Sequence, residues 1–200
     1  MNKNEIIESI TNTFTVEAET ISALSESVDK DILAILVERI GKKEGNVIIT
    51  GCGTSGTAAK KIVHSLSCIS IPAVYLNPSD AIHGSMGIIT PKDIVIMISK
   101  GGNTKELTNL LDSIKAQGAY IVGVGENEES KIGNYSNIFI KISIKKEPDP
   151  FNMLATASTL AVISTFDTVC IALMEYTNFS KEQFGINHPS GAVGERLLGK

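Results

Sequence analysis

Tryptophan is absent from the 200 residues, and cysteine is too sparse to organise a fold. Cys52, Cys68 and Cys170 form no C-x-x-C pair, so neither a disulfide framework nor a zinc cluster is signalled, and reduced thiols are expected. A surplus of one charge is also lacking: 18 Lys and Arg against 22 Asp and Glu give a net charge of -4, with the lysines spread along the chain. That balance provides no basic stripe of the kind nucleic acid demands, so nucleic acid is not an expected partner. The opening MNKNEIIESI has no uninterrupted apolar core, because Glu5, Glu8 and Ser9 break it. This argues against a secretory leader and for a cytoplasmic protein.

Long apolar runs are scarce too. Residues 153 to 174, MLATASTLAVISTFDTVCIALM, have the length to cross a bilayer and carry a single charge, Asp167. Hydroxyl residues interrupt the run, and no aromatic or basic belt flanks it. A buried helix, hydrophobic all round, is expected there instead of a membrane span.

What is present reads as one domain over residues 1–200, with helices in 1–42 and an α/β core with C-terminal helices in 43–200. Ile7, Ile10, Phe14, Ile21, Leu24 and Val28 recur at helical spacing, which predicts an amphipathic arm interrupted at Glu17. A second helix is predicted from Asp29 to Ile40, stopping at Gly41. Beyond it, short β-branched runs alternate with helical stretches. Strands are predicted at 46–50, 73–76, 93–99, 120–124 and 137–142, with helices running from the first glycine turn to about Ser67 and from the second to Gln117. Runs such as VIIT and IVIMIS lack polar alternation, as expected of strands buried on both faces. The fold class is therefore α/β, a doubly wound five-stranded parallel sheet flanked by helices with an N-terminal helical arm.

In such a sheet, ligands sit outside the carboxyl ends of the strands. Two strand-to-helix turns there are rich in glycine and hydroxyls: GCGTSG at 51–56 and SKGGNT at 99–104. Glycines admit an anion close to the backbone, and a helix N-terminus supplies free N–H groups and a positive dipole end. Gly51, Gly53 and Gly56 also fit the dinucleotide pattern G-x-G-x-x-G. That reading needs an acidic residue about 20 residues on, at the end of the next strand. Asn77 follows that strand, and Asp80 is already inside the subsequent turn. A Walker loop would need Gly-Lys-Ser/Thr, and Thr54-Ser55 brings no lysine. Glycines that merely make tight turns remain an alternative, but one that leaves the recurring hydroxyls unexplained.

The ordered set GCGTSG, NPSDAIHGSMGIITPKDIVIMIS, SKGGNTKEL, KKEPDPFNMLATAST and INHPSGAVGERLL is similar to the sugar isomerase (SIS) domain of bacterial arabinose-5-phosphate isomerases, from about residue 46 to 198. The commoner members continue into paired CBS modules; this chain ends where those would begin, so an SIS domain alone is expected. The resemblance implies interconversion of an aldose and a ketose phosphate, with D-arabinose 5-phosphate and D-ribulose 5-phosphate as the expected pair. That chemistry needs a phosphate grip, ring opening and a base that moves a proton between C1 and C2 through a cis-enediol, without metal or other cofactor.

By the same resemblance the phosphate grip falls on Gly53, Thr54 and Ser55 in the first turn and on Ser99, Lys100, Gly101 and Thr104 in the second. Glu147 is the implied base. Glu106, His83 and His188 complete the implied catalytic set, His188 reaching a neighbouring subunit of a homotetramer. His64 is read as an ordinary helical residue. Two positions depart from the family: Gly101 replaces a serine, and Thr54 replaces a lysine whose charge Lys100 or Lys60 would have to supply. A phosphosugar-binding module without catalysis, or an isomerase of another phosphosugar such as a hexulose 6-phosphate, are the alternatives.

Overall fold

The computed structural model describes residues 1–42, 44–190 and 194. Five strands form one sheet: β1 (Val47–Gly51), β2 (Ala73–Tyr75), β3 (Ile94–Ile98), β4 (Tyr120–Gly125) and β5 (Ile138–Lys141). All pair in parallel, in the order β2-β1-β3-β4-β5. The expected five-stranded doubly wound sheet is what the chain forms.

Alternation along each strand divides the core in two. Val47, Ile49, Ile94, Ile96, Ile98, Val122 and Val124 face one side, while Ile48, Val95, Met97 and Ile121 face the other. The first side is covered by α2 (Lys30–Gly41), α3 (Gly53–Cys68) and α8 (Ala157–Tyr176), the second by α5 (Lys105–Thr108) and α6 (Leu111–Ala116). The chain thus leaves β1 toward one face and β3 toward the other. Because β1 and β3 are neighbours, their carboxyl ends bound the crevice at which the strand order reverses. Both hydroxyl-rich turns flank that crevice.

Several boundaries differ from expectation, each for a local reason. The arm is one unbroken helix, α1 (Lys3–Ser27), started by a capping box between Asn2 and Glu5. Its single buried residue is Val16, while Ile7, Ile10 and Phe14 of the apolar stripe stay exposed. Between β2 and β3 lie a short α4 (Pro78–Ala81), capped by the Asn77 side chain, and a 3-10 turn at Ser85–Ile88. The helix after SKGGNT is split into α5 and α6 at Asn109 and Leu110, where Leu110 N–H bonds the Leu107 carbonyl three residues back. A further short helix, α7 (Lys131–Tyr135), is capped by Ser130.

The long apolar helix departs most. α8 begins at Ala157, not near Met153, because the Asp149 carboxylate accepts the N–H groups of Phe151, Met153 and Leu154 and holds 149–154 in a turn. Phe151 and Met153 are consequently 77% and 81% exposed. Nor is α8 buried all round: one face, with Ala161, Phe166, Val169 and Leu173, is covered, and Ile171 faces outward. By length and composition the helix passes as a membrane span. It is packed against α1, α2 and α3, and Asp167 is ion-paired with Lys61 of α3.

Close approach fixes the glycines that matter. A Cβ on Gly125, at the end of β4, would lie 2.2 Å from the Ser99 carbonyl and 3.0 Å from that of Lys100, both backbone atoms. A Cβ on Gly51 would meet the Ser55 backbone at 2.9 Å. We expect Gly125→Ala to lower the unfolding free energy by about 1–3 kcal/mol through overpacking. Gly101→Ala, with nothing within 4 Å of its Cβ, should cost no more than about 0.5 kcal/mol, both variants being compared with the unaltered protein by urea titration.

Candidate functional site

At the carboxyl edge of the sheet, a cavity of about 80 Å³ lies between the first turns of α3 and α8. Thr54, Ser55 and Ala58 of α3 form one wall, and Ser158, Thr159 and Val162 of α8 another. Lys100, Gly125 and Glu126, from the strand ends between them, complete the polar lining. Cys52, the residue before α3, makes no side-chain cap, so its side chain satisfies none of the helix's first N–H groups. Gly53 supplies the left-handed backbone, φ 56°, that turns the chain there.

The second turn is held rigid from within. Ser99 is buried, and its hydroxyl accepts the Gly102 N–H at 3.1 Å and shares a proton with Thr104 at 2.9 Å. Behind it, the Ile132 N–H bonds the Gly102 carbonyl, and Asn103 accepts the Lys131 N–H. Gly101 stays exposed with open space around its Cα.

Glu147 is the most constrained side chain of the group. The residue is 2% exposed, and its carboxylate receives four hydrogen bonds. Thr156 N–H donates at 3.1 Å and Ser158 N–H at 3.3 Å, which makes this carboxylate the cap of α8 in place of the N-cap residue's own side chain. The Ser158 hydroxyl donates to Oε1, and Lys100 Nζ lies 3.2 Å from the same oxygen. The loop supports this from the other end: the Glu147 N–H donates to Asn152 Oδ1 at 2.6 Å, with Asn152 itself left-handed at φ 56°. Burial pushes the Glu147 carboxyl upward, but the bonds from Ser158, Thr156 and Lys100 outweigh it, and the group is held below its ordinary 4.5.

The remaining candidates are placed unequally. Glu106 is exposed in the first turn of α5, close enough to Cys52 that its charge, added to burial, raises that thiol's pKa. His83 is exposed just after α4, which packs against α5 on the same carboxyl edge. Lys60 lies over the Tyr75 ring, 5.0 Å from its centroid, and is not among the cavity-lining residues; of the two lysines considered as replacements for a charge at Thr54, Lys100 alone lines it. His64 stays outside, 3.6 Å from Cys68 Sγ.

His188 is at the other end of the molecule. α8 carries the chain about 30 Å from the cavity, and α9 (Lys181–Asn187) follows. Asn187 there bonds the Cys68 carbonyl and Ser70, at the far end of α3. The His188 ring stacks on Phe184 with centroids 4.2 Å apart and bonds the Phe184 carbonyl through Nδ1. Gly191, Ala192 and Val193 and residues 195–198 of the family-like terminal motif lie outside the described residues.

No role follows from the sequence for Ser158, Thr159 or Glu126. The hydroxyls in LATAST, opening an apolar helix, are a readable helix-start signal. Glu126 has none.

Residues 40–172 match the family model described as SIS domain. An arabinose 5-phosphate isomerase KdsD of Francisella tularensis subsp. tularensis is 34% identical over 195 residues, which are 96% of this chain and 59% of that protein. Its Pseudomonas aeruginosa counterpart is 33% identical over 97% of the chain, again 59% of its own length. The chain therefore spans under two thirds of these curated relatives. A candidate sugar-phosphate isomerase of Listeria monocytogenes superposes with a TM-score of 0.93 at 51% identity, covering 95% of this chain and 100% of the other. An Escherichia coli CFT073 protein solved in complex with arabinose 5-phosphate superposes at 0.89 with 27% identity, over 94% and 100% of the two chains.

The depressed Glu147 pKa makes stability depend on pH. A carboxyl held low in the folded state stabilises the fold above its unfolded value and loses that contribution as pH falls through its folded value. Ser158→Ala removes one donor from a buried carboxylate and should cost about 1–3 kcal/mol at pH 7. The deficit relative to the unaltered protein should shrink once the pH drops below the ordinary 4.5, as read from urea midpoints across pH.

Proposed function

Because the chain belongs to the SIS domain family, we propose that it is a phosphosugar isomerase that interconverts D-ribulose 5-phosphate and D-arabinose 5-phosphate. The observation that carries this reading is a hydroxyl-lined cavity beside the strand-order reversal, two of whose lining residues, Lys100 and Ser158, bond the buried Glu147 carboxylate. The first turn offers Gly53, Thr54 and Ser55 and the second Ser99, Lys100, Gly101 and Thr104, so a phosphate bridging the turns meets helix N–H groups, hydroxyls and one ammonium. With the phosphate anchored there, the far end of an extended five-carbon sugar reaches toward Glu147. As an ionised carboxylate, Glu147 takes the proton from the carbon beside the carbonyl and returns it to the neighbouring carbon of the cis-enediol. Glu106 and His83, on the same edge, serve proton traffic at the sugar oxygens and ring opening.

His188 enters this scheme from a second subunit. In its own chain it occupies the opposite edge, while the exposed stripe Ile7, Ile10 and Phe14 and the exposed Phe151, Met153 and Leu154 beside the cavity offer surface for association. The assembly is a homotetramer with sites completed across subunits. The protein works in the cytoplasm.

Purified protein should convert ribulose 5-phosphate to arabinose 5-phosphate. Glu147→Gln should cut turnover by about 10²–10⁴-fold while sugar-phosphate binding persists. Mixing Glu147→Gln chains with His188→Ala chains should recover activity in about a quarter of the sites if two chains build each one. Turnover of a hexulose 6-phosphate in preference would change the substrate, and binding with no turnover of any phosphosugar would leave only a sensor.

A further inference from the structure

Lys100 is pulled in two directions. It belongs to the SKGGNT turn and lines the cavity, with its side chain 45% exposed. Yet its ammonium is drawn to carboxylates: Glu147 at 3.2 Å, and Glu126, the residue after β4, at 3.9 Å. The Glu147 side chain has no exposed surface, and both Lys100 and Ser158, which bond its Oε1, line the cavity. A base in this state is both covered and over-supplied with donors, which suits a capping residue better than a proton acceptor.

We propose that Lys100 is a ligand-operated latch: in the free protein it holds and screens Glu147, and on arrival of a doubly charged phosphate it swings to that anion and exposes the carboxylate. The proposal rests on the phosphosugar reading of the site. A long, half-exposed lysine is the side chain able to make such an exchange, being a point charge on a flexible stem. Glu147 can tolerate it, because the Thr156 and Ser158 amides and the Ser158 hydroxyl remain at the N-terminus of α8. The other charges near the carboxylate do not replace the latch. Glu126 repels it, Lys146 is an exposed neighbour in sequence, and Asp149 is committed to the amides of Phe151, Met153 and Leu154. Losing one cationic donor weakens the stabilisation of the ionised form, so Glu147 becomes a stronger base at the moment substrate is present.

Carboxyl ¹³C NMR of Glu147 in the whole protein tests this, with inorganic sulfate as the probe because it stays doubly charged throughout the titration. Saturating sulfate should raise the Glu147 midpoint by about one pH unit. In Lys100→Gln the sulfate-free midpoint should already be raised, the further shift should largely vanish, and sulfate affinity should fall about tenfold or more. Lys100→Arg, which keeps a cation in the turn, should retain the low sulfate-free midpoint. Sulfate binding that leaves the wild-type midpoint unmoved overturns the latch, as does failure of sulfate to bind at all. So does an equal sulfate shift in Lys100→Gln, since the anion's charge alone would then be responsible. An intact latch in a protein that isomerises no phosphosugar would sink the functional reading and leave the latch standing. Turnover without any shift in Glu147 would do the reverse.

Discussion

A carboxylate buried at a helix N-terminus is the constraint on which the rest of the site depends. Glu147 caps α8, so the helix's first amides have a partner without the N-cap residue supplying one from its own side chain. Burying that charge is tolerable only because every bond to it is charge-assisted and one comes from a lysine. The loop before α8 is shaped accordingly. Asn152 takes the left-handed conformation that lets its side chain hold the Glu147 amide, and Asp149 gathers three further amides. Cap, ion pair and loop form one unit, and it sits beside the cavity.

The sheet explains why that unit meets the two turns. Parallel strands bring all their carboxyl ends to one edge, and the reversal between β1 and β3 sends α3 to one face and α5 to the other. Backbone closeness at Gly51 and Gly125 then draws the turns inward. The two turns and the carboxylate come from stretches far apart in the chain: the order of the strands sets the turns side by side, and α8, packed against α3, brings in the carboxylate that caps it. The same geometry keeps His188 away, since α8 must traverse the sheet before the chain reaches it.

Legibility in the sequence follows the range of the forces involved. Strands buried on both faces announce themselves as continuous apolar runs, so the β elements and their parallel arrangement are readable, as are GCGTSG and SKGGNT as strand-end turns. The start of α8 is misplaced by pattern alone, because apolar Met153 and Leu154 look like helix, whereas Asp149, several residues earlier, captures their amides. Hydrophobicity also overstates the burial of that helix, since pattern says nothing about which face meets a neighbour. Glu147 illustrates the division most clearly. Family resemblance singles it out, but its caps, its ion pair with Lys100 and its enclosure by Ser158 are contacts with no local signature.

If the site works as described, the phosphate of a five-carbon sugar is held across the β1 and β3 turns while its reacting end lies beside Glu147. A crystal structure of Glu147→Gln soaked with arabinose 5-phosphate addresses this directly. Phosphate oxygens should lie within hydrogen-bond reach of Ser55 and of the Ser99 to Thr104 turn, with C1 and C2 next to residue 147. A sugar phosphate bound with its phosphate away from both turns, or at the amino edge of the sheet, would contradict it.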